Sequence, residues 1–189
     1  MAKSIHALER GIRYQYAVVL REWLKYFIKD KNNKINIFVE SSESGNLDDI
    51  QIHTSDEIIC FQVKHAANKG DLHTLEDFID EKKTKGKNSD IGKYSKSWEK
   101  VKAAHPNKNI KIIHYTNHSA GNNLHRVIEN GKFHKPFITG STTADDRIDI
   151  RAKLLSKFNL EEKLDLEEKF KKFLKAFEFH FGESNLELL

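Results

Sequence analysis

The stretch DIQIHTSDEIICFQVK, Asp49 to Lys64, decides the fold. Asp49-Ile50-Gln51-Ile52-His53 alternates polar and apolar residues, the period-two pattern of a half-buried strand, and Thr54 to Glu57 supplies turn residues. Ile58 to His65 reads as a second, more apolar strand. A turn centred on Ser55-Asp56 places Ile52 opposite Ile59, Ile50 opposite Phe61 and Asp49 opposite Gln62. Upstream, Ile35, Ile37 and Val39 alternate with Asn36, Phe38 and Glu40, and Ser41 to Asn46 is a turn. Centred on Ser44-Gly45, that turn puts Ile37 opposite Ile52, Val39 opposite Ile50 and Glu40 opposite Asp49. A slip of one residue would move the apolar set to the other face, so the pattern itself selects this register.

In that register Glu40, Asp49 and Gln62 lie side by side on one face, with Lys64 two residues further along it. Two carboxylates and an amide oxygen are the hard oxygen donors that Mg²⁺ takes, with Mn²⁺ an alternative. Lys64 is then placed to orient or deprotonate a water, or to stabilise charge building on a phosphate. The spacing alone also fits polar side chains facing solvent at strand ends.

Outward from the meander, Leu8, Ile12, Tyr16, Val19, Trp23, Leu24 and Phe27 recur at three- and four-residue steps, which predicts a long first helix with these residues facing the core. Asp71 to Lys82 and Ser95 to Ala104 read as helices around a loop at Lys83 to Ser89, and Ile110 to Tyr115 reads as a fourth strand. Asn122 to Glu129 reads as a short helix and Gly131 to Thr143 as irregular with extended pieces near Phe133 and Phe137. Asp145 to Phe158 and Leu160 to Phe181 read as two helices, the last carrying the stripe Phe170, Phe173, Phe177 and Phe181. The expectation is an α/β fold with a mixed central sheet of about four strands flanked by helices and a C-terminal helical extension, all in one domain over residues 1–189 (core about 8–140, C-terminal helices about 144–182).

The chain is 32% charged and 38% hydrophobic, with no apolar run of membrane-spanning length. The single Cys60 cannot form an internal disulfide, and the opening MAKSIHALERG lacks the features of a secretory signal, so a cytoplasmic location is expected. The net charge of +4 is a small difference between many charges of both signs. Its distribution says more: from Lys82 to Lys102 the lysines, Lys87, Lys93 and Lys96 among them, face only two acids, Asp90 and Glu99. Such a run can bind phosphates, and a solvated lysine-rich face explains it equally well.

Among other candidates, the ten histidines show no tight metal-ligand pair on a helix, although His114 and His118 have a ligand-like spacing across a strand end. Cys60 lacks a base partner and reads as a small core residue. Thr116-Asn117, where the fourth strand ends, can contact a substrate phosphate or simply cap the loop. Gln15, one helical turn after Gly11, can pass its amide beside the acids or stay exposed.

The order acid, strand turn, Gln-x-Lys, within a helix, three strands, helix, strand layout, resembles the PD-(D/E)xK nuclease superfamily. Gln62 stands where the usual second acid would, a departure also known in Mrr-like branches. More narrowly, Gly11 to Gln15 (GIRYQ), Glu40 through Asp48-Asp49-Ile50, Gln62-Val63-Lys64-His65 and Tyr115-Thr116-Asn117 are similar to the duplex-DNA nuclease domain at the N-terminus of bacterial antiphage effectors, which is fused there to a SAVED or STAND-type sensor. The likeness is strongest from Gly11 to His65. It implies a restriction-endonuclease-like core excised from a longer effector, an Mg²⁺-dependent endonuclease acting on duplex DNA, a partner sensor and a homo-oligomer. It also implies Asp49, Gln62 and Lys64 as the catalytic core, Glu40 as a helper, and Gln15 and Asn117 as support. An inactive nucleic-acid-binding or assembly module of the same fold, and an RNA-directed nuclease, remain open beside it.

Overall fold

The computed structural model describes residues 2–29, 35–39, 49–65, 72–79, 89–158 and 165–182. Helix α1 (Ala2–Lys29) leads into the meander β1 (Asn36–Val39), β2 (Ile50–His53) and β3 (Glu57–Lys64). Next come β4 (Leu72–His73), α2 (Leu75–Ile79), α3 (Asp90–Ala104), β5 (Asn109–Thr116), β6 (Ser119–Ala120) and α4 (Asn122–His125). The chain continues through β7 (Ile128–Glu129), β8 (Lys132–Phe133), α5 (Lys135–Thr139), α6 (Asp145–Lys157), α7 (Leu166–Ala176) and β9 (Phe177–His180).

Both meander registers are those the apolar alternation selects. Ile50 pairs with Phe61 and Ile52 with Ile59; Ile37 pairs with Ile52 and Val39 with Ile50. The first turn and Glu40 lie outside the described residues, as does the expected pairing of Glu40 with Asp49. β5 then joins β3 in parallel, Gln62 beside His114 and Lys64 beside Thr116.

Among the described residues the expected sheet of about four strands is a mixed sheet of seven, ordered β1-β2-β3-β5-β9-β8-β7, with β4 and β6 forming a separate pair. Three of the added strands come from chain that reads as helix or irregular. Asn130 and Gly131 both take positive φ, 50° and 77°, and turn β7 into β8. Asn-Gly is the pair best suited to such a tight hairpin. A side chain at Gly131 would collide with the Phe179 carbonyl, and the backbone N–H of Phe179 donates to Gly131 O at 2.7 Å. The expected last helix stops at Ala176 because Phe177, Phe179 and Phe181 alternate with polar residues, and β9 adds in parallel to β5. The Phe stripe is therefore half helical and half period-two.

Two cores result. On one face α1 packs Tyr14 and Val18 onto Ile50, Ile52, Ile59, Phe61, Ile113 and Tyr115. On the other, α2, α3, α6 and α7 cover Ile58, Cys60, Ile110, Ile112, Phe177 and Phe179. The residues expected to face the core from α1 do not: Ile12, Tyr16, Trp23, Leu24 and Phe27 are exposed, with Tyr16 61% accessible, and only Val19 of that set packs against the core. The side chain of Leu8 lies outside those described. The helix is apolar on both sides, so its period identified a helix but not which face meets the sheet.

Phe173 on α7 is fully buried, its ring 5.9 Å from Trp98, 5.2 Å from Phe158 and 5.6 Å from Phe177. Phe173→Ala is expected to cost about 3–5 kcal/mol. Urea denaturation checks this, and a loss below about 1 kcal/mol would contradict the packing described.

Candidate active site

The site begins with strand alternation. Ile59, Phe61 and Val63 point towards α1, so Cys60, Gln62 and Lys64 point the other way, and on β5 His114 and Thr116 share that side. Asp49 sits one residue before β2, opposite to Ile50 and therefore on the same face. There its Oδ2 accepts a hydrogen bond from Gln62 Nε2 and a second from the Val63 backbone N–H at 2.7 Å.

Gln62 is buried and Lys64 is exposed. Because Nε2 of Gln62 donates to Asp49, the atom its amide can offer a cation is Oε1. Lys64 stands at the carboxyl end of β3, and its charge reaches the imidazoles of His73 and His114, opposing their protonation. Parallel strands commonly gather ligand groups at their carboxyl ends, which here are Lys64 on β3 and Thr116 on β5.

The remaining sequence candidates fall in different places. Asn117 is buried directly after β5, and the neighbouring Thr116 Oγ1 accepts from His118 N–H at 3.2 Å. Gln15 is half-buried on α1, the helix covering the other face, so it reaches the acids only around the strand ends. Its neighbour Tyr14 marks that edge, with its ring 5.2 Å from His65. Lys93 and Lys96 are half-buried on α3, and Lys93 Nζ lies 3.5 Å from Asp90. Glu40 and Lys87 lie outside the described residues. Burial pushes the Cys60 thiol up to about 12, in keeping with a core residue rather than a nucleophile.

Sequence reasoning missed a histidine layer behind Lys64. His73 on β4 stacks on His114 at 4.9 Å, and His118 is 5.8 Å from His73. Among the described residues, both ring nitrogens of His114 and of His118, and Nε2 of His73, are buried without a hydrogen-bond partner. Tyr94 of α3 joins them, 6.2 Å from His114; burial and the charges of Asp90 and Asp49 raise its phenol well above the ordinary range. The available signal was His114 standing two residues before Thr116 on the Gln62 face of an otherwise apolar strand.

A mixed sheet with an acid at the mouth of the second strand, Gln-x-Lys on the third and a parallel neighbour strand is the core of a nuclease of the PD-(D/E)xK type. The family described as "Cap4, dsDNA endonuclease domain" matches residues 7–186. The chain belongs to that family, and it is an antiphage defence effector nuclease acting on double-stranded DNA. No curated protein matches the chain. No helix among the described residues is long and apolar enough to cross a membrane.

The histidine layer makes stability depend on pH. Burial, with His118 and Lys64 adding to it against the pull of Asp77, brings His73 down from an ordinary value near 6.5 to about 4, and burial also lowers His114 well below 6.5. The unfolded chain therefore binds protons between pH 6.5 and 4 that the folded chain refuses, and stability falls as pH drops through that window. At pH 5 His73 alone is expected to remove on the order of 1–2 kcal/mol relative to pH 7. Thermal denaturation should show a falling Tm between pH 7 and 5, with a weaker slope in His73→Phe; equal slopes would contradict a buried neutral imidazole.

Proposed function

We propose that Asp49, Gln62 and Lys64 form the metal-dependent centre with which this domain hydrolyses phosphodiesters of duplex DNA, with little sequence readout of its own. The observation that carries this is the Asp49 carboxylate drawn onto the Gln62 amide with Lys64 on the same face of β3. Among the described residues no three His, Cys, Asp or Glu side chains converge on one point. One or two carboxylates with neutral oxygens and waters suffice for Mg²⁺, however, and Asp49 with Gln62 Oε1 fits such a donor set, Mn²⁺ being its usual substitute. Glu40 would add a second carboxylate.

A bound divalent ion supplies Lewis acidity towards the scissile phosphate and a lowered pKa for coordinated water. The chain's own groups do the rest. Asp49 carries the negative charge that attracts the cation, and its bond from the Val63 N–H fixes where that charge sits. Lys64 as the ammonium places a positive charge at the exposed strand end, where it offsets the charge growing on phosphate oxygens and orients the attacking water by donating to it; only as the neutral amine would it instead take that water's proton. Asn117 and Gln15 are assigned supporting contacts to substrate from the two sides of the strand ends.

Duplex DNA is held through its phosphates, with Lys87, Lys93 and Lys96 as contacts, so affinity falls steeply with salt. A nuclease with so little readout needs restraint, and a sensor domain or subunit together with self-association supplies it in this reading. The binding-only and RNA-directed readings separate from it in a single assay series.

Lys64→Ala is expected to lower plasmid cleavage with Mg²⁺ by about 100-fold or more, and EDTA to abolish it in the parent. Duplex DNA, single strands and RNA digested side by side test the substrate. Parental rates in Lys64→Ala would remove the assignment, and metal-independent DNA binding without strand cleavage would favour a binding module.

A further inference from the structure

The sheet is notched where β5 begins. β5 pairs with β3 from Asn109 onward, but β9 joins it only at Ile112, so among the described residues no strand flanks Asn109 to Lys111 on that side. α7 ends and turns into β9 beside this gap, which is a cleft of about 630 Å³. Ile110 and the accessible part of the Trp98 indole lie at its base. Five lysines ring it: Lys102 of α3, Lys111 of β5, Lys132 of β8, and Lys172 and Lys175 of α7. Among the described residues only two acids, Glu57 and Glu178, join the lining.

We infer that this cleft binds a compact polyphosphate anion, either inorganic triphosphate or the triphosphate chain of a nucleotide. Five lysines against two carboxylates leave an excess of three positive charges in one small concavity. Glu178 does not remove that excess, because its single carboxylate already has Lys111 at 2.9 Å, Lys132 at 3.8 Å and His180 at 2.9 Å. Lysines in the last turn of a helix offset its dipole, which accounts for Lys102 and Lys175. It does not account for Lys111, Lys132 or Lys172. Lys102 Nζ donates to the Pro106 and Lys108 carbonyls at 3.1 and 2.8 Å, neutral groups that hold the ammonium in place and leave its charge. Lys172 has Glu168 at 3.9 Å, an exposed pair of the kind that contributes little.

Shape and position select the class of ligand. A cleft of this volume takes a small molecule, and a double helix is too wide to enter it. The cleft also lies at the start of β5, about 23 Å along the strand from Thr116, which stands beside Lys64 at the other end. A phosphate in contact with Lys64 is therefore out of reach of these lysines. A linked chain of phosphates suits the cleft better than one phosphate, since the cations enter from two sides. Lys111 shares the α1 side of the sheet with Ile113, and Lys132 lies across from it on Glu178, while Lys102, Lys172 and Lys175 come from the helices over the other face. None of this rests on the active-site reading.

The test is calorimetric titration of the purified chain with ATP, inorganic triphosphate and adenosine, in EDTA so that no metal bridges a phosphate to Asp49. ATP and triphosphate are expected to bind with a Kd of about 10–100 µM and adenosine not at all, and the tighter of the two identifies the source of the chain. Lys172→Glu combined with Lys175→Glu, both exposed on α7, should weaken binding by about tenfold or more with circular dichroism unchanged. The same charge change at Lys135 and Lys153, exposed and outside the cleft, should leave the Kd within about twofold. Lys64→Ala should bind as the parent does. No binding at millimolar ATP and triphosphate, or equal losses in the two charge-reversed pairs, overturns the proposal. A short duplex that displaces triphosphate, and is itself weakened by the Lys172 and Lys175 changes, would make the cleft a DNA contact and overturn it as well.

Discussion

Asp49 stands one residue before β2, where its carboxylate has three ways to go: into solvent, into the apolar core, or onto the edge of the neighbouring strand. It takes the third, and a single oxygen receives both the Gln62 side-chain amide and the Val63 backbone N–H. Hydrogen bonds to a charged acceptor contribute about 1.5–3 kcal/mol each, enough to extend the β2–β3 hairpin one residue past its last paired strand position. That tie sets where the negative charge sits and how Gln62 presents its remaining oxygen. It also fixes the end of β3 from which Lys64 projects. A slip of one residue between β2 and β3 would lose the tie and turn the isoleucines outward together, so apolar packing and site chemistry enforce the same register.

The two faces of the sheet then divide the work. The α1 side is filled by Ile50, Ile59, Phe61, Ile113 and Tyr115 and carries the fold. The other side is apolar along most of its length and turns polar at the carboxyl ends of β3 and β5, where Asp49, Gln62, His114 and Lys64 form adjoining rows. Burial holds His73 and His114 neutral there, so neither of these two imidazoles competes with the charge of Lys64 at neutral pH. The cost is a core that tolerates acid poorly.

Much of this was legible because strand alternation is strict. The pairings of Ile50 with Phe61 and Ile37 with Ile52, and hence the meeting of Asp49 with Gln62, follow from where the isoleucines lie. The misread last helix comes from a period counted over too long a window. Phe170, Phe173, Phe177 and Phe181 fit helical spacing, yet the nearer alternation of Phe177, Phe179 and Phe181 prevails once β5 offers an unpaired edge. Asn130-Gly131 was a hairpin signal too, flanked by strands of only two residues, too short for alternation to register. Of the histidine layer only His114 and His118 could be read, from their places at the end of the fourth strand, since His73 meets His114 only after β4 folds back over the sheet. On α1 both sides are apolar, and which one meets the sheet is decided by the fit of Tyr14 and Val18 rather than by hydrophobicity.

The most direct test of the centre is to let a metal report its own position. Fe²⁺ can replace Mg²⁺ at an oxygen-donor site and, with ascorbate and peroxide, cuts the backbone within a few ångströms of where it binds. If Asp49 and Gln62 hold the ion, mass spectrometry of the fragments should find breaks clustered near residues 49 and 62, suppressed by excess Mg²⁺ and absent in Asp49→Asn. Breaks elsewhere in the chain, or an unchanged pattern in Asp49→Asn, would contradict the assignment.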